Sequence, residues 1–408
     1  MNERMVIVDG VRTPFCKSGT DLSTFSADDL GRIAVDALLT KTGIDPAVID
    51  EVIFGCVSQP AEAANIARVI ALRAGIPESV PAATVHRNCA SGFEAFTAAY
   101  ERLSAGHGSV FVVGGTESMS HVPMLFQDAT ARKFTDLARS KSTAQKLSAL
   151  SAFRVADFTP RAGLRLGLTD PVSGLNMGET AELLAREGSI TREQQDEFAL
   201  QSHQRALEAE AKLAEEICPV YTSGRALIHD NGPRTDQSMA VLGGLKPVFE
   251  KYGSVTAGNS SQVTDGAVAL LVMSEWRAQE LGLQPLGVLK SYAYAGCDPA
   301  RMGLGPVFAI DRLNKSSGLT VADADLIEVN EAFAAQVLAV LSRLQPAVPL
   351  DKLNVNGGAI ALGHPVGATG ARLILTSLKE LARRQAKRAL VSLCVGGGQG
   401  GAIWLERI

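Results

Sequence analysis

The sequence lacks paired cysteines, long apolar runs and a strong excess of either charge. Its 408 residues include six cysteines that stand apart without a CxxC pair, so no disulfide framework is predicted, and a reducing, cytoplasmic location is expected. A net charge of −4 argues against nucleic-acid binding. No apolar run is long enough to predict a membrane span, and we expect no targeting signal before the first apolar segment.

The sequence does contain a repeated order of apolar strands and helices. The first half reads as strands at 48–55 and 83–85, an elbow at Cys89, a helix at 92–103 and a strand at 110–115. The second half reads as strands at 325–329 and 353–356, a loop carrying His364, a helix at 370–381 and a strand at 389–394. Apolar strands that alternate with helices predict buried sheets covered by helices. The repeat therefore predicts a duplicated α/β fold.

An insertion interrupts the first of these two units. About 140 residues lie between Gly115 and Ser254, where the second half has almost none. Within them, Thr191 and a glutamine three residues later form a capping-box pattern. This pattern predicts a helix that continues from 195 to 216.

Cys89 is the first candidate for chemistry. It follows a strand, precedes a helix and is succeeded by small residues. A thiol at a helix N-terminus lies near unpaired N–H groups and the positive end of the helix dipole, so a lowered pKa is expected. A lone cysteine in an apolar chain is usually a buried spectator, but the elbow favours a nucleophile.

His364 lies in a loop, 356–370, that contains five glycines. A histidine held there could deprotonate a thiol or donate to a developing oxyanion; the alternative is a histidine that only fixes the loop. Dinucleotide binding is disfavoured, because no GxGxxG opens a helix here. Cys394 ends a strand before three glycines, which predicts an acid/base partner beside an oxyanion site. Asn330 ends the preceding strand, where its amide could orient a water or donate to a carbonyl.

These segments together resemble the signatures of the thiolase family. The matching segments are Asn-Cys-Ala-Ser-Gly at 88–92, Ala-Gly-Asn-Ser-Ser at 257–261 with Asp-Gly-Ala at 265–267, Asn-Glu-Ala-Phe at 330–333, Gly-His-Pro at 363–365 and Cys-Val-Gly-Gly-Gly at 394–398. The resemblance covers nearly the whole chain and includes the order of the motifs. It implies duplicated α/β domains in five layers, α-β-α-β-α, with an inserted loop domain. The implied boundaries are 1–122 plus 249–277 for the N-terminal half, 123–248 for the loop domain and 278–408 for the C-terminal half.

The resemblance also implies a role for each catalytic candidate. Cys89 would be the nucleophile that takes the acyl group, and His364 would activate it. His364 and a water held by Asn330 would form an oxyanion hole for the thioester carbonyl. Cys394 would protonate the departing enolate, or abstract the proton in the condensing direction. The backbone N–H groups of Cys89 and Gly396 would form a second oxyanion hole.

Coenzyme A is a substrate in this interpretation, and no metal or bound cofactor is implied. Ser261 and Met177 match loop positions that touch the pantetheine, and Arg234 matches an arginine beside the adenine. His86 replaces an asparagine common just before the nucleophile in this family, which leaves the role of its side chain open.

The resemblance favours the degradative type of the family, which cleaves 3-ketoacyl-CoA in fatty-acid β-oxidation, because the segment 126–175 is longer than the short-chain type would require. Acetoacetyl-CoA thiolase is the alternative. A non-catalytic acyl-CoA or lipid carrier would be expected to lack Cys89, His364 or Cys394. The decarboxylating ketoacyl synthases are disfavoured, because Asn330 stands where they would carry a second histidine.

The remaining expectations concern partners. A homodimer or homotetramer is expected, and a hydratase/dehydrogenase subunit is a candidate partner. A cationic, amphipathic stretch in the insertion contains Arg132, Lys133, Arg139, Lys141, Lys146 and Arg154. Two interpretations of it stay open: a solvated helix packed on the domain, or a surface that meets CoA phosphates, a membrane or a partner subunit.

Overall fold

A computed structural model describes residues 3–408, so the first two residues of the expected N-terminal half lie outside it. The strands are β1 (Met5–Arg12), β2 (Cys16–Lys17), β3 (Glu51–Gly55), β4 (Ala82–Val85), β5 (Val110–Glu117), β6 (Met124–Leu125), β7 (Arg161–Ala162), β8 (Val220–Thr222), β9 (Arg225–Leu227), β10 (Thr264–Ser274), β11 (Gly287–Gly296), β12 (Leu326–Val329), β13 (Arg388–Val395) and β14 (Gln399–Arg407). The α-helices are α1 (Ala27–Thr42), α2 (Ile66–Arg73), α3 (Ser91–Ser104), α4 (Asp128–Arg139), α5 (Thr143–Ser151), α6 (Gly163–Gly167), α7 (Met177–Glu187), α8 (Arg192–Glu208), α9 (Glu210–Ala214), α10 (Met239–Gly243), α11 (Glu275–Glu280), α12 (Gly305–Ser317), α13 (Ala334–Leu341), α14 (Ala359–Leu362) and α15 (Thr369–Arg384).

The large sheet consists of two half-sheets joined at one seam. Its strand order is β12-β13-β14-β11-β1-β10-β5-β3-β4, and β2 pairs with β10. The seam is the short pairing of β1 with β11, through Val6 with Val288 and Ile7 with Gly287. Each half-sheet is mixed: β3 runs parallel to β4 and β5, β12 runs parallel to β13, and the other pairings are antiparallel. The predicted duplication is confirmed.

The helices form three layers around the two half-sheets. Helices α3 and α15 lie between them and share one core, with Phe93 and Leu375 fully buried. Helices α1 and α2 cover the outer face of the first half-sheet, where Leu30 is buried. Helices α12 and α13 cover the second, where Ile310 is buried. The five-layer α-β-α-β-α architecture is thus confirmed, and each such side chain contributes about 1.5–3 kcal/mol to folding.

The insertion differs from the prediction in one helix. The capping box of Thr191 and Gln194 is present at the start of α8. However, the prediction of a single helix that reaches residue 216 is wrong, because α8 ends at Glu208 and α9 begins at Glu210. Between them Ala209 leaves helical geometry, with φ −93° and ψ 4°. The bend keeps Ala209 in an apolar cluster with α14, beside the loop of His364.

The prediction of a strand at 353–356 is also wrong. Here Leu353 makes an isolated bridge to Ile327, and no strand follows it. The reason is Asn354, whose φ of +43° interrupts the extended conformation. Its side chain instead bonds to both the N–H and the C=O of Val329. This segment therefore turns early toward the glycine-rich loop.

The cationic stretch of the insertion folds as α4, α5 and a short 3-10 helix at Val155–Phe158, and residues 126–158 are called the basic hairpin from this point. Phe126, Phe134, Phe153 and Phe158 pack on one another at its centre, with ring centroids 4.9–6.3 Å apart. Three of these rings nevertheless stay 37–55% exposed. No helix in the described part of the chain has the length and apolar character that crossing a membrane would require.

Candidate active site

A cavity of about 600 Å³ lies where the two halves meet the insertion. The predicted site residues on its wall are Met177 and Ser261 together with Cys89, His364, Cys394 and Gly396. The other two predicted residues, Asn330 and Arg234, are not on this wall. Packing thus gathers into one chamber residues that lie as far apart as 89 and 396 in sequence.

The elbow that carries Cys89 depends on local hydrogen bonds. Asn88, just before it, has φ +44°, a left-handed conformation that asparagine tolerates better than most residues. The hydroxyl of Ser91 accepts from the N–H of Arg87 at 3.0 Å and donates to the C=O of Asn88 at 2.7 Å. The side chain of His86 accepts weakly from the N–H of Asn88, at 3.4 Å. These contacts turn the chain sharply from β4 into α3 and leave the thiol at the bend.

The pKa of Cys89 departs from the expectation. Burial raises the pKa of this thiol, and the N–H groups of Gly396 and of Cys89 itself offset part of that rise. The prediction of a lowered pKa is therefore wrong for the resting protein. The desolvation of a thiolate outweighs the partial charges at the start of α3. The same contacts show that two backbone N–H groups lie beside the sulfur.

His364 is held on three sides by its surroundings. Its N–H donates to the C=O of Gln262 and to the hydroxyl of Thr264, both at 3.2 Å. On the ring, Nδ1 lies 2.7 Å from Oγ1 of Thr369. Burial, and secondarily the cation of Arg372, lower the pKa of His364 to about 4. The imidazole is therefore neutral at pH 7.

The hydrogen bonds of Thr369 favour one tautomer of His364. The threonine hydroxyl donates its one proton to the C=O of Pro365 at 3.0 Å. Its oxygen must then accept from Nδ1–H of the imidazole. The other ring nitrogen, Nε2, consequently carries a lone pair. Within residues 3–408 this atom has no hydrogen-bond partner, so it is free to accept a proton.

Cys394 lies near the end of β13 and is almost fully buried. Burial raises the pKa of its thiol well above the usual value, and the nearby Cys89 raises it further. A thiol kept protonated can donate a proton to a carbanion and recover it in the reverse direction. The geometry therefore places this thiol in the same chamber as the thiol of Cys89.

Gly396 begins the turn between β13 and β14. Its C=O accepts from the amide of Asn88 at 2.8 Å, which joins this turn to the Cys89 elbow. Gly397 and Gly398 follow with φ of +87° and +79°, conformations that only glycine adopts readily. A Cβ on Gly396 would stand 3.5 Å from the sulfur of Met177. That distance is ordinary van der Waals contact, so the tight turn depends on the positive φ of Gly397 and Gly398 and not on close packing at Gly396.

Asn330 lies directly after β12 and is buried, and its N–H donates to the C=O of Ser392 at 2.9 Å. Both polar atoms of its amide lack a hydrogen-bond partner among the described residues. An unpaired buried amide costs about 1–3 kcal/mol. Its retention is consistent with a water or a ligand group as its partner.

The three residues expected to contact CoA divide into two groups. Ser261 is anchored by its N–H to the C=O of Ala332 at 2.9 Å, and Met177 by its N–H to the C=O of Leu168 at 2.9 Å. Both lie on the cavity wall. Arg234 lies at the surface, 57% exposed, with Nε 3.5 Å from Oδ1 of Asp236.

Sequence reasoning missed two groups of site residues. One is an apolar patch of the wall formed by Val122, Pro123, Leu125, Leu164 and Leu168. The other comprises buried polar supports, namely Thr369 under the imidazole and Glu117 behind the wall. A carboxylate that directly continues an apolar strand, as Glu117 does, was the available signal for the second group.

Comparisons with known proteins agree with this geometry. The family model described as the thiolase N-terminal domain matches residues 5–276, and that described as the thiolase C-terminal domain matches 283–407. The chain is 42% identical to a 3-ketoacyl-CoA thiolase of Serratia proteamaculans, over 99% of this chain and 97% of that protein.

Solved structures give the same result. The crystal structure of an acetyl-CoA acetyltransferase of Bacillus anthracis matches with a TM-score of 0.91 at 38% identity, over the whole of both chains. Human mitochondrial 3-ketoacyl-CoA thiolase in complex with CoA matches with a TM-score of 0.90 at 37% identity, over 100% of this chain and 98% of that one.

Proposed function

The chain belongs to the thiolase family of acyltransferases, and on this premise we propose that it cleaves 3-ketoacyl-CoA with CoA. The products are acetyl-CoA and an acyl-CoA shortened by two carbons. The observation that carries the proposal is the single chamber shared by Cys89, His364 and Cys394. Curated relatives named 3-ketoacyl-CoA thiolase, 41–42% identical over nearly the full chain, support the choice of substrate.

The first half of the reaction forms an acyl-enzyme. Nε2 of His364 accepts the thiol proton of Cys89, and the thiolate attacks the 3-keto carbon. The bond between carbons 2 and 3 then breaks and leaves the acyl group on Cys89. Cys394 protonates the enolate of the departing acetyl-CoA. The raised thiol pKa and the low imidazole pKa mean that the ion pair forms during the reaction and not before it.

The second half transfers the acyl group. The thiol of an incoming CoA loses its proton to the acid/base pair and attacks the thioester, which frees the Cys89 thiolate. We propose that the N–H groups of Cys89 and Gly396 hold the oxyanion of this tetrahedral intermediate. His364, protonated on Nε2, and a water bound by Asn330 would hold the thioester oxygen. Each such donor lowers the barrier by about 3 kcal/mol.

CoA would thread from the surface into the chamber. Met177 and Ser261 line the chamber, which supports their proposed contacts with the pantetheine. Arg234 lies outside the chamber and is exposed, so its proposed contact would be with the adenine end of a long ligand. A cationic side chain at the surface can bind there without being desolvated.

The apolar wall favours acyl chains longer than acetoacetyl. Leu125, Leu164 and Leu168 offer a surface that a two-carbon acyl group would not fill. Burying each methylene of a longer chain there would contribute about 0.8 kcal/mol. The similarity to an acetyl-CoA acetyltransferase makes acetoacetyl-CoA the substrate to compare.

The deciding experiment compares kcat/KM for CoA-dependent cleavage of a long-chain 3-ketoacyl-CoA and of acetoacetyl-CoA. A clear preference for the long chain is expected for a degradative enzyme. Preference for acetoacetyl-CoA would transfer the proposal to the short-chain type. Cleavage of neither by the reduced protein would refute the catalytic proposal and favour an acyl-CoA carrier.

The proposed setting is β-oxidation in the cytoplasm. All six cysteines are free thiols, which suits a reducing compartment. A homodimer or homotetramer is proposed because β4 ends the sheet as a half-buried edge strand, which another chain could cover. Light scattering coupled to size-exclusion chromatography tests this, with a monomer as the contradicting result.

We further propose the basic hairpin as the surface for a hydratase/dehydrogenase subunit, whose product would be the 3-ketoacyl-CoA. The exposed Phe126 and Phe158 beside the hairpin cations support this proposal. Co-purification from the native cell tests it, with Phe158→Ser as the variant expected to lose the partner. Equal recovery with both chains would contradict it.

A further inference from the structure

Glu117 is a fully buried carboxylate that the proposed reaction does not use. It is the last residue of β5. Its Oε1 accepts from the N–H of Ser58 at 2.8 Å and from the thiol of Cys56 at 3.8 Å. Its Oε2 accepts from the N–H of Val57 at 3.1 Å and from the N–H of Gly367 at 2.9 Å.

This network suits the ionised form of the side chain. Every one of the four partners of Glu117 is a donor. A protonated carboxyl would need an acceptor for its own hydrogen, and the three backbone N–H partners cannot supply one. Burial raises the pKa of Glu117, and the N–H groups of Ser58, Val57 and Gly367 offset part of that rise.

The partners of Glu117 are two separate parts of the chamber. Val57 and Ser58 belong to the cavity wall, and Gly367 lies three residues after His364. The loop of His364 packs very closely here, since a Cβ on Gly115 would stand 1.9 Å from the C=O of Gly367. One carboxylate therefore joins the wall, the end of β5 and the histidine loop.

We propose that Glu117 is a positioning residue that fixes the loop of His364 against the wall beside Cys89, so that Nε2 can reach the thiol. The inference rests on the proposed acyl-enzyme function. The charge of Glu117 also acts on Cys89 directly. The other groups facing that thiol are His364, Cys394 and the N–H of Gly396, none of which is an anion in the resting protein.

Two substitutions separate the effect of the charge of Glu117 from the effect of its side-chain length. Glu117→Gln removes the charge and turns an NH₂ toward backbone N–H groups. Glu117→Asp keeps the charge but is one methylene too short to reach all its partners. Both should lower kcat by about tenfold to a hundredfold, because small misplacements of a catalytic group have effects of that size. The KM for CoA should stay within about twofold.

The pH dependence of Cys89 alkylation by iodoacetamide gives a second readout. Loss of a nearby negative charge makes the thiolate easier to form. The midpoint should therefore move to lower pH in Glu117→Gln and stay at the wild-type value in Glu117→Asp. A thiol that becomes more acidic while turnover falls is not the result of simple loosening of the fold.

Asp50→Asn is the matched control. Asp50 accepts from the N–H groups of Ser109 and Val110 at the opposite end of the same strand, far from the chamber. It should change neither kcat nor the alkylation midpoint, whatever its effect on melting temperature.

Several results would overturn the inference. A Glu117→Gln protein with wild-type kcat and alkylation midpoint, even at a lower melting temperature, would leave Glu117 a purely structural residue. If Glu117→Gln does not fold, wild-type kcat in Glu117→Asp would equally show that Glu117 is structural. An inactive wild-type protein would instead refute the proposed function.

Discussion

The ends of two equivalent strands in the duplicated fold differ in how their polar groups are satisfied. In the first half, β3 leads into Cys56 and the neighbouring β5 ends at Glu117. The side chains of these two residues form a hydrogen bond. In the second half, β12 leads into Asn330 and the neighbouring β13 carries Cys394 near its end. The first pair is saturated by protein groups, whereas the amide of Asn330 has no partner among the described residues.

This difference agrees with the proposed roles, in which one strand end supports the site and the other performs the chemistry. A buried polar group without a partner costs about 1–3 kcal/mol, so the amide of Asn330 would gain stability from a water or a ligand group as its partner. A carboxylate such as Glu117, whose two oxygens both accept hydrogen bonds, joins the surrounding segments to one another. Substitutions at both strand ends test two roles. The end with Asn330 and Cys394 would carry the chemistry, and the end with Cys56 and Glu117 would only hold it in place.

The largest effect is expected for Cys89→Ala. Removing the nucleophile should lower kcat by about 10⁴-fold or more, as for nucleophile deletions in other covalent enzymes. The melting temperature should hardly change, because the side chain lies at a cavity wall. Mass spectrometry should find no acyl adduct on the variant. Turnover near the wild-type level would contradict the acyl-enzyme proposal.

The next effect compares the two halves directly, with Cys394→Ala against Cys56→Ala. Loss of the proton donor should lower kcat by about 10²–10⁴-fold, while Cys89 can still be acylated by an acyl-CoA. Loss of the Cys56 thiol should cost about 1 kcal/mol of stability and leave kcat nearly unchanged. Equal losses of activity in Cys394→Ala and Cys56→Ala would contradict the proposed difference between the two strand ends.

The pH dependence of turnover follows from His364. The imidazole must be neutral to accept a proton, and burial lowers its pKa from 6.5 to about 4. The value of kcat/KM should therefore persist below pH 6.5 and fall only as the pH approaches about 4. A pH–rate profile, with activity recovered at pH 7 as a check on unfolding, measures this limb. A fall centred near 6.5 would show that burial does not lower the pKa of the imidazole in the free enzyme.

A smaller effect is expected for Thr369→Val, which removes the acceptor of Nδ1–H at nearly constant volume. The tautomer with a lone pair on Nε2 loses its support, so kcat should fall about tenfold. Thr369→Ser keeps the hydroxyl and should stay close to wild type. Nitrogen-15 chemical shifts of His364 report the tautomer, and an unchanged spectrum in Thr369→Val would contradict the assignment.

The last effect concerns the apolar wall and is expected for only one of the two substrates. Leu164→Phe narrows the chamber and should lower kcat/KM for a long-chain 3-ketoacyl-CoA by about tenfold. Cleavage of acetoacetyl-CoA should change by less than about twofold. Leu166→Phe, on the same short helix but 41% exposed and off the wall, is the control. Parallel losses for both substrates would remove Leu164 from the acyl site.

Much of the fold could be predicted because its signals are local. Apolar strands, glycine elbows and a capping box each depend on a few neighbouring residues, and their order indicated the duplicated α/β architecture. The predictions of two elements were wrong, because contacts with residues distant in sequence decide the backbone conformation there. Ala209 bends a helix to meet α14, and Asn354 interrupts a strand to bond with β12.

The sequence by itself determined which residues could perform chemistry. Cys89, His364 and Cys394 stand in backbone contexts that glycine, asparagine and small side chains impose locally. The tertiary structure decided their protonation and their supports. Burial raises the pKa of Cys89 and outweighs the opposite effect of the helix N-terminus. Thr369 selects the tautomer of His364. Desolvation and hydrogen bonding depend on everything packed around a group, and most of those neighbours are distant in sequence.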